Sequence, residues 1–148
     1  MRVIAFALVS FLFISHAAFP QPSDLESRLD AAEQRWKRAA LSSYEYTFSF
    51  RAFYVFVDCE GDSFRAKVVN GIVVPTSDCR ALRDSYATVP QLFSFVRKEL
   101  AQKPDHIEAT FDPELGYPAS FGVDPRENAS DDEFYFEVSG FVWGDALE

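Results

Sequence analysis

Tyr44-Glu45-Tyr46-Thr47-Phe48-Ser49-Phe50-Arg51-Ala52 alternates apolar and polar side chains without a break. Successive side chains of an extended chain point to opposite faces. Period two therefore puts Tyr44, Tyr46, Phe48, Phe50 and Ala52 on a buried face and Glu45, Thr47, Ser49 and Arg51 on a wet one. The stretch predicts a half-buried strand rich in the aromatic residues that strands favour. From Phe53 to Val57 both faces turn apolar, which predicts that the strand continues there as a central or bulged one.

The elements on either side follow from the same test of period. Upstream, Ser23 with Glu26 reads as a capping box, and Leu25, Leu29, Ala32, Trp36 and Ala40 recur at helical spacing, predicting a helix to about Leu41. Trp36 lies on that apolar stripe and is expected to anchor the helix in the core. Downstream, Phe64, Ala66 and Val68 continue the alternation, and Asn70-Gly71 marks a hairpin between strands near 63–69 and 72–75. Arg80 to Ala87 is polar and reads as a loop with a helical turn. Thr88 and Gln91 form a second capping box with Pro90 in the first turn. Leu92, Phe93, Val96 and Leu100 give the stripe of a helix that Pro104 ends. Ile107, Ala109 and Phe111, then Ala119, Phe121 and Val123, alternate as strands around a turn at Asp112 to Gly116, and a last strand is expected from about Glu133 to Phe141. The order α-β-β-β-α-β-β-β predicts an α+β fold, with two helices packed on one face of a mainly antiparallel sheet. Its second half loosely echoes the first.

Residues 1–17 read as a signal peptide. Arg2 supplies the positive start, Val3 to Ile14 run without a charge, and Ser15-His16-Ala17 offers small residues at a cleavage site. The run is too short to span a bilayer, so no stable membrane anchor is expected after cleavage, and residues 18–148 are expected to form a single domain. The destination is secreted and extracellular, or periplasmic if the source is bacterial. The whole chain has a net charge of −9, which loss of Arg2 takes to −10. Such an acidic surface repels phosphate backbones and anionic lipid and argues against nucleic acid as a partner. In an oxidising compartment Cys59 and Cys79, the two cysteines of the chain, pair most simply as one disulfide, worth about 3 kcal/mol for a loop of about 20 residues.

Nucleophile and cofactor motifs are missing: there is no GxSxG, P-loop, GxGxxG or HExxH, and His106 is the one histidine beyond the leader. No catalytic residue, resident metal or cofactor is predicted. The remaining chemistry lies in carboxylates: Asp112, Glu114, Asp124, Glu127, Asp131, Asp132 and Glu133. Two of them in one cleft could do acid–base hydrolysis, and several could bind calcium, although Arg126 stands where an EF-hand loop needs an oxygen ligand. Their ordinary reading is turn chemistry at Asp112-Pro113 and Asp124-Pro125. Tyr117, with Tyr135 and Trp143, could form an aromatic binding surface. Asn128-Ala129-Ser130 is a glycosylation sequon, usable in a eukaryotic source. The leading expectation is a small exported non-catalytic binding or inhibitory module for an unknown protein or small ligand. A carboxylate-dependent hydrolase or a calcium-binding protein is the alternative.

One family resemblance crosses these residues. Trp36 before Tyr44-Glu45-Tyr46, Cys59, Asn70-Gly71, Val89 with Leu92-Phe93, Phe111-Asp112, Gly116-Tyr117-Pro118, Asp124 and Asp131-Asp132-Glu133 together resemble a secreted family of unknown function, domain of unknown function 6174. The likeness runs from about Trp36 to Phe141 and is most specific between Phe111 and Glu133. Many bacterial members carry a tight Cys-Phe-Cys-Pro cluster, from which the separated Cys59 and Cys79 depart. The resemblance implies an exported single domain and no particular activity.

Overall fold

The computed structural model describes residues 22–52, 59, 61–75, 79–129, 132–144 and 147. The leader and its cleavage site, the side chain of Ser23, the apolar run Phe53 to Val57, Ser130 and Asp131 lie outside the described residues.

The fold is α+β. Helix α1 (Pro22–Ala39) precedes strands β1 (Tyr44–Ala52), β2 (Ser63–Val69) and β3 (Ile72–Val73); helices α2 (Arg80–Tyr86) and α3 (Val89–Ala101) lead into β4 (His106–Phe111), β5 (Pro118–Asp124) and β6 (Phe134–Trp143). The strands form one antiparallel sheet in the order β3-β2-β1-β6-β5-β4. Two three-stranded meanders thus join where β1 pairs with β6, and the strand that alternates most cleanly in sequence lies at the centre. Its alternation is physical: Tyr44, Tyr46, Phe48 and Phe50 are all buried.

The helices cover one face only. Leu25, Leu29, Ala32 and Trp36 of α1, and Val89, Leu92, Phe93 and Val96 of α3, pack with the buried residues of the sheet in one cluster. Phe95 of α3 meets Phe121, Phe134 and Phe136 edge-on or tilted, and the Trp36 ring stands edge-on to Tyr44 at 5.2 Å. Burial of this much aromatic surface is the main stabilising term. The second capping box forms as its spacing predicts, with the Gln91 N–H donating to Thr88 Oγ1 and the Thr88 N–H to Gln91 Oε1.

Three local differences have physical causes. Arg80–Tyr86 is a helix where its polarity suggested a loop. Leu82 is buried, Tyr86 stacks on Phe48 at 5.0 Å, and the Tyr46 hydroxyl donates to the Tyr86 carbonyl at 2.7 Å, so tertiary contacts outweigh local composition. Helix α1 stops at Ala39 because Ala40 turns left-handed, with φ 50°. Strand β6 runs on to Trp143 through an irregularity opposite Glu45 and Thr47, where Gly140 has φ +60°. That extra residue returns Phe141 to the helix side, where it stacks on Tyr44, Tyr46 and Tyr117. Cys59 and Cys79 are joined by a disulfide that ties the segment after β1 to the start of α2.

Candidate functional site

With the helices on one face, the other carries the polar half of every strand's alternation. The register sets these side chains in rows. Arg51 of β1 lies opposite Tyr135 of β6, Tyr135 opposite Gly122 of β5, and Gly122 opposite Glu108 of β4. In the next row Ser49, Glu137, Ser120 and Thr110 follow one another across the same strands. Across the two rows lies a shallow depression of about 350 Å³ lined by Ser49, Arg51, Glu108, Ser120, Tyr135 and Glu137.

Gly122 shapes its floor. A Cβ at this position would come within 2.8 Å of the Tyr135 ring and 3.2 Å of a Glu108 carboxylate oxygen, so glycine is what lets the ring lie down over β5. The Arg51 guanidinium sits over that ring, 5.4 Å from its centroid. This is a cation–π distance, and it holds an exposed arginine in one place. In the second row the hydroxyls of Thr110 and Ser120 share a hydrogen bond of 2.6 Å. Glu133 reaches the same face from the β6 entry and lines an adjoining hollow with Arg51, Ala52 and Tyr135.

The carboxylates singled out from sequence fall into two groups at opposite ends of β5. At one end Asp112 accepts from the N–H groups of Glu114 and Leu115 at 3.0 and 2.7 Å, which is a turn cap. Tyr117 packs beside it, with its ring 4.2 Å from that of Phe141. Burial first, then the neighbouring Asp112 charge and its hydrogen bond, raise the Tyr117 hydroxyl above the usual phenol value. At the other end Asp124 accepts from the Arg126 N–H at 3.0 Å, and Arg126 Nε lies 3.3 Å from Asp132 Oδ2. Asp105 Oδ2 accepts from the Glu127 N–H at 3.1 Å. Asp132 Oδ1 is buried without a hydrogen-bond partner among the described residues. Among those residues no three His, Cys, Asp or Glu side chains converge as a metal site would need. Asn128 is exposed on the same turn.

The three aromatic residues also separate. Trp143 lies 6.2 Å from Phe141 between rings and Tyr117 stacks on Phe141 at 4.2 Å, whereas Tyr135 stands over Gly122 on the open face. Sequence patterning therefore missed the row itself. Ser49 and Arg51 were legible as the wet half of a strand, but Glu108, Ser120 and Glu137 gave no signal beyond polarity. Gly122 inside a strand was the one local hint of a close approach.

The chain belongs to the Family of unknown function (DUF6174), which it matches over residues 28–143. Comparison with curated proteins and with solved structures gave no match.

Proposed function

We infer that this protein is an exported, non-catalytic binding or inhibitory module that receives its ligand or partner on the open face of the sheet. The observation that carries this reading is the depression, in which four strands contribute side chains of both charges around a fixed Tyr135. Pockets that bind ligands combine such a concave surface with a few converging polar groups. Export is supported by the apolar leader read from the sequence and by the Cys59–Cys79 disulfide. Among the described residues no helix is long and apolar enough to cross a membrane. Glu108 and Glu137 both line the depression, but each is exposed to solvent, whereas the general acid of a glycosidase pair has its pKa raised by apolar surroundings. Binding is therefore the better use of this surface.

The test is a ¹⁵N-resolved NMR titration with three probes of different chemistry: tetra-alanine, maltotetraose and citrate. At least one should move the amides of Ser49, Gly122 and Tyr135. Shifts confined to the helices or to the Asp124–Glu133 turn would sink the reading.

A further inference from the structure

We propose that the open face of the sheet is the contact surface for a second copy of this chain, in a two-fold dimer that sets the basic half of each face over the acidic half of the other. This names the partner of the binding surface inferred above and rests on that reading.

The charges of the sheet are sorted by half. Strands β1 and β2 carry Arg51, Arg65 and Lys67 against one acid, Glu45, a net of +2 (3 − 1). Strands β4, β5 and β6 carry Glu108, Asp124 and Glu137 with no Lys or Arg, a net of −3. Even spacing along each strand and the register between strands put all of them on the open face. That face is therefore positive on one side of the β1–β6 seam and negative on the other. Part of this charge is unspent. Lys67 and Glu137 make no ion pair among the described residues, and Arg65, although 2.9 Å from Glu45, leaves 71% of its side chain in solvent.

A uniformly acidic partner would meet Glu108 and Glu137, and a uniformly basic one would meet Arg51, Arg65 and Lys67. The complement must itself be divided, and a second copy is divided in the same way. A two-fold axis lying in the face, across the line from the basic to the acidic group, turns each β1–β2 half over the partner's β4–β6 half and makes every unlike-charge contact twice. An axis along that line would set like on like. Shape follows the same division: Glu108 and Glu137 line the depression, whereas Arg65 and Lys67 stand on the strand beside it, outside its lining. Each copy thus offers a hollow with acids in its wall and long basic side chains to enter the other's hollow.

The area is sufficient. Five strands about 4.8 Å apart and about seven residues long make a face of about 24 Å by about 24 Å, so two copies bury about 1,100 Å², just above the roughly 1,000 Å² that a specific interface needs. The net charge of −9 opposes association at long range, but about 0.15 M salt screens charges more than about 8 Å apart and leaves the contacts across the face. The expected dimer is weak, with a Kd on the order of 0.1 mM.

The experiment is sedimentation equilibrium of the mature, oxidised protein from about 0.01 to about 1 mM in about 0.15 M sodium chloride. The average mass should rise toward that of a dimer, and dilution should move the amides of Ser49, Arg65, Gly122 and Tyr135. Arg65→Glu with Lys67→Glu makes both halves acidic, and Glu108→Lys with Glu137→Lys makes both basic. Each variant alone should associate at least about tenfold more weakly, and an equimolar mixture of the two should regain the parent affinity, because each acidic half then meets a basic one. Melting temperatures are read alongside. If the acidic pair of substitutions prevents folding, Arg65→Gln with Lys67→Gln replaces it and should weaken association at least about fivefold. A monomer at about 1 mM would overturn the proposal, as would a dimer indifferent to both pairs of substitutions or a mixture that fails to restore association. The open-face reading is then judged separately, by the probe titration at Ser49, Gly122 and Tyr135.

Discussion

Gly116→Ala isolates the contact that seats the first helix on the β4–β5 turn. Gly116 has φ +87°, and its N–H donates to the Asp112 carbonyl at 3.0 Å inside the turn that Asp112 caps. Any residue with a Cβ is strained at such a φ by about 1 kcal/mol. The added methyl would also press on the Ala32 backbone carbonyl and come within 2.9 Å of Arg35 Cβ, both in α1. A main-chain carbonyl inside a helix cannot swing aside, so α1 must lift or the turn must deform, at an overpacking cost of about 1–3 kcal/mol. The total expected loss is about 2–4 kcal/mol. Gly71→Ala supplies the control, because Gly71 has φ +77° with nothing within 4 Å of a would-be Cβ and should show the backbone strain alone. Urea unfolding followed by far-ultraviolet circular dichroism, with the disulfide kept oxidised, measures both. The difference between the two variants is the steric part. If Gly116→Ala costs no more than Gly71→Ala, then α1 is not seated against the turn and the argument is wrong.

Trp36→Ala should cost about 3–5 kcal/mol, because a buried ring set edge-on to Tyr44 and Phe141 leaves a cavity; a loss under about 1 kcal/mol in the same assay would place Trp36 outside the core. Burial raises the Tyr46 hydroxyl well above the ordinary value of about 10, with the neighbouring Tyr44 adding to it. Because the folded-state value is the higher one, this stability is present below pH 10 and is lost as pH rises above it, so Tyr46→Phe should flatten the fall of melting temperature between about pH 10 and 12. An unchanged alkaline slope would count against that assignment. Millimolar calcium should raise the melting temperature no more than sodium at equal ionic strength, since Arg126 already engages both Asp124 and Asp132; a calcium-specific rise abolished by Asp124→Asn with Asp132→Asn would make the turn a metal site.

Elements whose buried face repeats over many residues were legible in the sequence. Strand β1, the Trp36 stripe and the Thr88–Gln91 cap each carry their own periodic or reciprocal signal. Helix α2 was not legible, because its stability comes from burial of Leu82 and from Tyr86 stacking on Phe48 of β1, which local polarity hides. Likewise, the single residue gained near Gly140 returns Phe141 to the core, and strict alternation cannot anticipate a slip of one position.

The candidate site was hidden for a deeper reason. Sequence proximity favours Asp112, Tyr117, Asp124 and Glu133 as one cluster, yet the full length of β5 stands between the first two and the last two, so at about 3.4 Å per residue the two turns are about 20 Å apart. Arg51, Tyr135 and Glu108 are distant in sequence, and pairing of β1 with β6, β6 with β5 and β5 with β4 brings them into one row. On a sheet, function is written in register, and register depends on long-range pairing. A wet-face residue such as Glu108 is chemically indistinguishable in the sequence from any solvated glutamate until its cross-strand neighbours are known. Gly122 is the exception that shows what to look for: a glycine costs stability inside a strand, so its presence there marks a place where another group, here the ring of Tyr135, has taken the space of a side chain.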